Sequence, residues 1–211
     1  MNELSCRDAG VGLATLPGGN IPLIVTSPRI GQHSSKAAKV DRQNTPTPPS
    51  LCRWIYKQLV AAGIHPQTIL DPCAGGGNLT AQFRPHARVI EYEIQRGTDF
   101  LEAKKRIACD LVICNPPWKE AERWLRHVAQ IVGNRTPIVF VCPSLVFSGH
   151  KTASCRKYLE STDAPILSSI TPLPSDTFVG VYLPSAILWL NLPDVRNVAL
   201  VQSEYLIRKN V

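Results

Sequence analysis

Residues 67–77 read QTILDPCAGGG, and this stretch decides the fold. A short apolar run ends in an Asp-Pro pair, and three consecutive glycines follow two residues later. Glycine permits positive φ and lets a ligand approach the backbone closely. The apolar run predicts a buried strand, the glycines a turn, and the next residues, 78–83 (NLTAQF), the opening of a helix.

The same alternation of strand and helix continues along the chain and predicts an α/β fold. Uninterrupted apolar strands are typical of a parallel sheet that is covered by helices on both faces. Ligands bind such a sheet beyond the carboxyl ends of its strands. Further helices are predicted at 51–63, 119–132 and 150–161, and further strands at 87–94, 108–115, 136–144, 164–174, 185–193 and, as an edge strand, 197–207.

One globular domain is predicted over residues 46–211. Residues 1–45 form an N-terminal arm that is expected to be partly disordered or to pack on the domain, with one strand-like run in 18–28. The chain has 211 residues, 44% apolar and 18% charged, which suits a folded protein. It contains no apolar run near the roughly 20 residues that span a bilayer, and no secretory signal pattern.

Cysteine usage and charge give two further expectations. The seven cysteines are an odd number without CxxC or zinc-finger spacing, which favours a reducing compartment and no metal. We therefore expect a cytoplasmic protein. The net charge of +7 suggests a polyanionic partner such as nucleic acid, although a basic surplus also serves solubility alone.

The glycine turn is not a phosphate loop. No GK[ST] follows the glycines, and the first residue after the strand, Asp71, is acidic. An acid at the end of the strand suits a cationic or hydroxyl-bearing ligand better than a pyrophosphate. The alternative is a plain strand-to-helix turn.

Two motifs resemble those of the class I S-adenosylmethionine-dependent amino-methyltransferases. DPCAGGGNL, residues 71–79, resembles the turn that binds the cofactor in that family. NPPW, residues 115–118, directly follows the apolar run LVIC and resembles the family's (Asp/Asn/Ser)-Pro-Pro-aromatic motif. The order of the motifs resembles the N6-adenine DNA enzymes. The implied fold is Rossmann-like, with a mostly parallel seven-stranded sheet that ends in a C-terminal antiparallel hairpin.

The resemblance implies catalytic roles for Asn115, Pro116, Pro117 and Trp118. An aryl amine is a poor nucleophile, and the Asn115 side-chain oxygen and the Pro116 carbonyl can each accept one of its N–H groups. Such fixed acceptors typically contribute about 3–4 kcal/mol each. The prolines restrict φ, and Trp118 offers a face for a stacked base. By itself, NPPW can also be an ordinary turn at the end of a strand.

The resemblance also implies a cofactor site. Ala74 and Gly75 would present their backbone to the cofactor, and Asp71 would hold its amino-acid end. Glu93, with Glu91 as the fallback, would accept the ribose hydroxyls. The full set of implied cofactor-binding residues is Thr47, Pro48, Asp71, Cys73, Ala74, Gly75, Glu93, Asp99, Phe100 and Asn115.

Within this set, Asp99 would accept a hydrogen bond from the cofactor's adenine, with Phe100 beside the ring. Thr47-Pro48 resembles the segment that closes over the methionine end, although TPTPP is also an ordinary helix start. Only five residues separate Glu93 from Asp99, so the usual intervening helix and strand do not fit. The sheet edge after the second strand is therefore expected to be abbreviated.

The predicted substrate is the N6 amine of adenine in DNA, flipped from the duplex or supplied single-stranded. The alternatives are an RNA adenine or protein-glutamine enzyme, and a non-catalytic nucleic-acid-binding module on this fold. Sequence specificity is expected to be loose, to be limited to a very short sequence, or to come from a homodimer or a specificity partner. Phe178 is a candidate contact of the base, and Lys104, Lys105, Arg106, Lys119, Arg123 and Arg126 are expected to ring the pocket.

Overall fold

A computed structural model of the chain describes residues 45–192 except 149–152, 179 and 182. The predicted arm up to residue 44 and the predicted edge strand at 197–207 lie outside the described residues. The described residues form the α-helices α1 (Pro49–Ala61), α2 (Ala121–Val132), α3 (Leu145–Ser148) and α4 (Ala153–Leu159). The strands among them are β1 (Thr68–Asp71), β2 (Arg88–Glu91), β3 (Leu111–Cys114), β4 (Ile138–Pro143), β5 (Leu167–Leu173) and β6 (Ser185–Leu190).

The strands form one mixed sheet in the order β2-β1-β3-β4-β6-β5. The first four strands of this order are mutually parallel, and β6 runs antiparallel to both β4 and β5. The predicted Rossmann-like α/β fold with a C-terminal antiparallel hairpin is therefore confirmed. The described part of the chain supplies six strands, and the predicted seventh lies outside it.

Helices cover both faces of the sheet because successive strand residues point to opposite sides. One core packs α1 against the sheet, and the other packs α2 and α4 against the opposite face. The α1 side contains Leu51, Ile55, Leu59, Ile69, Leu111, Ile113, Val139, Val141, Ile187 and Trp189. The α2 side contains Leu70, Val112, Cys114, Trp124, Leu125, Val128, Ile138, Phe140, Leu188 and Leu190.

The prediction that a helix opens at residues 78–83 is wrong. This segment forms a series of hydrogen-bonded turns that leads directly into β2. Pro85 lies two residues beyond the predicted segment, where its ring and missing N–H oppose helix propagation. The Thr80 hydroxyl also contacts the backbone oxygen of Gly77 at 3.4 Å and Glu91 Oε1 at 3.2 Å, which ties the segment to the glycine turn.

The predicted abbreviation of one sheet edge is observed. Between β2 and β3 the described chain forms only two short 3₁₀ turns, Ile94–Arg96 and Phe100–Glu102. Among the described strands, β2 therefore has β1 as its only neighbour. The carboxyl ends of β1, β2 and β3 lie side by side because β1 pairs in parallel with both β2 and β3.

Candidate active site

The two predicted motifs lie at adjacent strand tips. Asp71 is the last residue of β1, and Asn115 directly follows Cys114, the last residue of the parallel neighbour β3. From β1 the chain passes outward to β2 and then returns across β1 to β3. Such a reversal of strand order opens a crevice at the carboxyl ends, where ligands bind in open α/β sheets.

The glycine turn presents its backbone to this crevice. Gly75 and Gly77 have φ of +51° and +74°, conformations that side-chain-bearing residues rarely adopt. Gly75 and Gly76 are exposed, and a Cβ on Gly75 would meet nothing within 4 Å. At Gly77 a Cβ would lie 2.9 Å from Arg84 and 3.2 Å from Glu91. The space next to Gly75 is therefore open, whereas Gly77 is closely surrounded by side chains.

Asp71 is a buried carboxylic acid with one unpaired oxygen. The residue is 0% exposed, and its Oδ1 accepts the Cys73 N–H at 3.2 Å. Its Oδ2 is buried without a hydrogen-bond partner among the described residues. Burial is the main cause that raises the pKa of Asp71 from 3.8 to about 7. An orphaned acceptor of this kind fits a cationic or N–H-bearing ligand group at the strand tip.

Cys73 and Cys114 bring the two motif loops together behind Asp71. The Cys73 thiol lies beside the Cys114 thiol and the Asn115 backbone. Burial, followed by the contact with Cys114, raises the pKa of the Cys73 thiol well above its usual value. A thiol that stays protonated is a weak nucleophile, and a contact of Cys73 with the cofactor stays a prediction.

Glu93 bonds the first glycine of the turn, whereas Glu91 lies beside the third. Glu93 Oε2 accepts the Gly75 N–H at 2.6 Å, and Oε1 accepts the Gln95 N–H at 3.1 Å. Glu91 instead forms ion pairs with Arg84 at 2.5 Å and Arg96 at 3.7 Å. The first-choice acid therefore lies beside the crevice, whereas the fallback acid is held by two arginines.

Asp99 and Phe100 have different surroundings in the structure. Asp99 is half-buried, and its Oδ1 accepts the Leu101 N–H at 2.8 Å. Phe100 is 1% exposed and packs in the core against Trp124, with ring centroids 6.0 Å apart. A place for Phe100 beside a cofactor ring stays a prediction. It requires a face of the Phe100 ring that neighbouring core residues cover in this structure.

Asn115 is the centre of a hydrogen-bond network. Its Nδ2 donates to the Thr45 backbone oxygen at 3.3 Å and to Thr47 Oγ1 at 3.0 Å. Its Oδ1 accepts the indole N–H of Trp118 at 2.8 Å. Trp118 also meets Phe178 edge-to-face, with ring centroids 5.1 Å apart. Phe178 thus lies against the NPPW motif, while its contact with a base stays a prediction.

The segment before α1 lies over both motif loops. Thr47 is 5% exposed, and its backbone oxygen accepts Asn78 Nδ2 at 3.3 Å. Its hydroxyl contacts Asn115, so one residue touches the glycine turn and the NPPW loop together. Pro48 is the N-cap of α1 and is followed by Pro49 in the first turn, where proline is favoured.

Solved structures resemble this architecture, whereas the sequence matches no protein-family model and no curated protein. A protein from Vibrio vulnificus described as a modification subunit of a type I restriction enzyme matches with a TM-score of 0.55 and 15% identity, over 74% of this chain and 46% of that one. A class I S-adenosylmethionine-dependent methyltransferase assigned in Listeria monocytogenes matches with a TM-score of 0.54 and 17% identity, over 72% and 62%.

The EcoKI M protein, from a type I restriction enzyme, also matches, with a TM-score of 0.54 and 16% identity over 72% of this chain and 44% of that one. This chain has a class I methyltransferase fold. It spans between 44% and 62% of the length of these three proteins.

Within this methyltransferase fold, the predicted basic residues do not all surround the site. Arg106 donates to the Val132 backbone oxygen at 3.3 Å, at the C-terminal end of α2 and the amino ends of the strands. The C-terminus of a helix attracts a cation. Residues that directly precede a parallel strand lie at the amino end of that strand. The expectation that Arg106 rings the pocket is therefore wrong. Arg123 and Arg126 lie on α2 but pair with Glu120 and Glu122.

Sequence reasoning missed Asn78 and Thr98. Asn78 follows Gly77 and bonds Thr47, and Thr98 Oγ1 accepts the Glu93 N–H at 2.9 Å. The position of Asn78, directly after three glycines, was the available signal. The described residues contain no group of His, Cys, Asp and Glu that could hold a metal ion. None of the described helices is long and apolar enough to cross a membrane.

Proposed function

We propose that this chain transfers a methyl group from S-adenosylmethionine to the N6 amine of adenine in DNA. The observation that carries the proposal is that Thr47 bridges the glycine turn and Asn115 at one crevice of a methyltransferase fold. A site with these two motifs on opposite walls can hold a donor and an acceptor side by side. Proximity and alignment then supply a large part of the rate.

The glycine turn fits the cofactor by its own chemistry. When bound, S-adenosylmethionine supplies a methyl group on a positively charged sulfur. Asp71 Oδ2 has no hydrogen-bond partner in the part of the chain that the structure describes, and it would accept a hydrogen bond from the ammonium group of the methionine end. The exposed backbone at Gly75 and the carboxylate of Glu93 would face the ribose hydroxyls. These residues would bind and orient the donor through hydrogen bonds and the charge of Asp71, and the sulfonium is already an activated methyl donor.

The NPPW motif fits an aryl amine. Asn115 Oδ1 has two lone pairs, and Trp118 occupies one of them. The second lone pair and the Pro116 carbonyl would each accept one N–H of the amine. These acceptors favour a pyramidal nitrogen whose lone pair can attack. The Trp118 ring, braced by Phe178, would present a flat face to the base.

DNA is the favoured substrate for two reasons. The whole chain carries a net charge of +7, which attracts a phosphate backbone. Two of the structural matches are described as a modification subunit and an M protein of type I restriction enzymes. This chain covers 46% and 44% of the length of these two proteins, and a partner or a second copy of this chain is proposed as a source of sequence specificity.

Methyl transfer to three substrate classes tests the proposal. The chain is incubated with S-adenosylmethionine labelled on its methyl group and with unmethylated genomic DNA, total RNA or a denatured protein extract. Label is expected in DNA, and single-stranded oligonucleotides in which guanine replaces every adenine are expected to take up none. Label confined to RNA or protein would assign the enzyme to that class. Binding of DNA without transfer to any class would instead indicate a non-catalytic module.

A further inference from the structure

The side-chain amide of Asn115 is held in one orientation by the chemistry of its neighbours. The Thr45 backbone oxygen can only accept a hydrogen bond, and it lies 3.3 Å from Nδ2. The Trp118 indole N–H can only donate, and it lies 2.8 Å from Oδ1. An amide turned by 180° would set acceptor against acceptor and donor against donor. The observed orientation is therefore the one that these two partners allow.

We propose that Thr47 is a positioning residue that acts through Asn115. Its hydroxyl provides the shorter of the two bonds to Nδ2, at 3.0 Å, and so directs Oδ1 away from segment 45–47 and toward Trp118. This role rests on the proposed function, in which Oδ1 is the acceptor of the substrate amine. It differs from the role implied by the family resemblance, in which Thr47 contacts the cofactor.

Thr47 is itself held from two sides. Its backbone oxygen accepts a hydrogen bond from Asn78 Nδ2 at 3.3 Å, which ties the residue to the glycine turn. The chain then enters α1, whose Leu51 and Ile55 are almost fully buried in the core. Thr47 is 5% exposed and β-branched, which restricts its rotamer. The Thr47 hydroxyl, which accepts the hydrogen bond from Asn115 Nδ2, therefore cannot move without disturbing the glycine turn or α1.

The same bond affects the strength of Oδ1 as an acceptor. Hydrogen bonds donated by the amide NH₂ draw electron density toward its oxygen, since linked hydrogen bonds polarise one another. The two acceptors at Nδ2, Thr45 and Thr47, would thus strengthen Oδ1 toward a substrate N–H. Loss of the Thr47 hydroxyl would both loosen the amide and weaken its oxygen.

The test compares Thr47→Val, which replaces the hydroxyl by a methyl of similar size, with Thr47→Ser, which keeps the hydroxyl. At saturating cofactor and DNA, Thr47→Val is expected to lower kcat about 10-fold, the effect of one lost hydrogen bond. Thr47→Ser is expected to recover most of that rate. The dissociation constant of S-adenosylhomocysteine is expected to stay within about threefold for both variants. Thr136→Val, which removes a hydroxyl bonded to Val132 at the opposite end of the sheet, is the matched control.

A second readout needs neither cofactor nor methyl transfer. The chain has four tryptophans, and Trp118→Phe identifies the indole N–H signal of Trp118 in a ¹⁵N–¹H correlation spectrum. Thr47→Val is expected to shift this signal and the side-chain amide pair of Asn115, and Thr47→Ser to bring both back toward wild type. If the wild-type protein transfers no methyl group, the proposed function fails while these spectra still report on the network.

Three outcomes would overturn the role of Thr47. The first is a kcat for Thr47→Val equal to that of the wild type. The second is a tenfold weaker binding of S-adenosylhomocysteine with kcat unchanged at saturation, which would make Thr47 a cofactor contact. The third is a Trp118 and Asn115 signal set that does not move in Thr47→Val. A fall in kcat with unchanged affinity and shifted signals supports the proposal.

Discussion

Replacing Asn115 by alanine is expected to lower kcat for methyl transfer by about 10²–10³-fold, the usual effect of removing one fixed electrostatic contact to the transition state. The substitution removes Oδ1, one of the two acceptors proposed for the substrate amine. It leaves the Pro116 carbonyl and the Trp118 ring in place. Because the other acceptor and the alignment of the substrate remain, a small residual rate is expected.

Affinity for the cofactor is expected to change little in Asn115→Ala, within about threefold, because the substitution leaves the proposed cofactor contacts at Asp71, Gly75 and Glu93 intact. Single-turnover kinetics gives the rate of transfer, and titration calorimetry with S-adenosylhomocysteine gives the affinity. Asn134→Ala is the matched control, because Asn134 is exposed between α2 and β4 at the far end of the sheet. A loss of cofactor affinity as large as the loss of kcat would contradict the role assigned to Asn115.

Asp71→Asn is expected to weaken the binding of S-adenosylhomocysteine by about 10–100-fold at pH 8, the range for a lost hydrogen bond to a charged group. Asparagine keeps the size of the side chain and the acceptor for the Cys73 N–H. It removes the negative charge that would pair with the ammonium group of the ligand. The expected loss is therefore one of charge complementarity rather than of packing.

The raised pKa of Asp71 gives this binding a pH dependence. A bound cation favours the carboxylate form, so binding should release the proton that Asp71 holds below its pKa of about 7. Wild-type affinity is therefore expected to rise between about pH 6 and pH 8, and this part of the dependence should vanish in Asp71→Asn. Calorimetry in two buffers of different ionisation enthalpy measures the released proton. Equal proton release in the two proteins would contradict the assignment.

The same pKa makes a statement about stability. Between pH 3.8 and about 7 the folded protein retains a proton that the unfolded chain has released. The contribution of Asp71 to the free energy of unfolding therefore falls as pH rises through this window, and Asp71→Asn should remove that fall.

For the affinity measurements on Asp71→Asn, the matched control is Asp110→Asn. Asp110 is exposed and accepts the Gln67 and Thr68 N–H groups at the amino ends of the strands, far from the crevice.

Much of the fold and the placement of both motifs could be predicted from the sequence. Short apolar strands alternating with helices fix a parallel arrangement, and the residues after each strand then share one edge of the sheet. Asp71 and Asn115 each directly follow or end such a strand, so their proximity follows from topology. The short spacing between Glu93 and Asp99 likewise predicted the abbreviated edge.

Other features depend on contacts that local patterns do not contain. Glu91 and Glu93 lie two residues apart, and what distinguishes them is that Glu91 pairs with Arg84 and Arg96 while Glu93 accepts the Gly75 N–H. The bond between Thr47 and Asn115 joins residues 68 positions apart in the sequence. The error at Arg106 was avoidable, since a residue before a parallel strand lies at the end opposite the crevice.

The most direct test of the whole account is a crystal structure of this chain with S-adenosylhomocysteine. The ligand is expected in the crevice between β1 and β3, with its amino group on Asp71 Oδ2, its ribose beside Glu93 and its sulfur facing Asn115. Contacts of these three residues with one bound molecule would establish that the glycine turn and NPPW form a single site. An empty crevice at millimolar ligand, or a ligand bound elsewhere on the chain, would contradict the account.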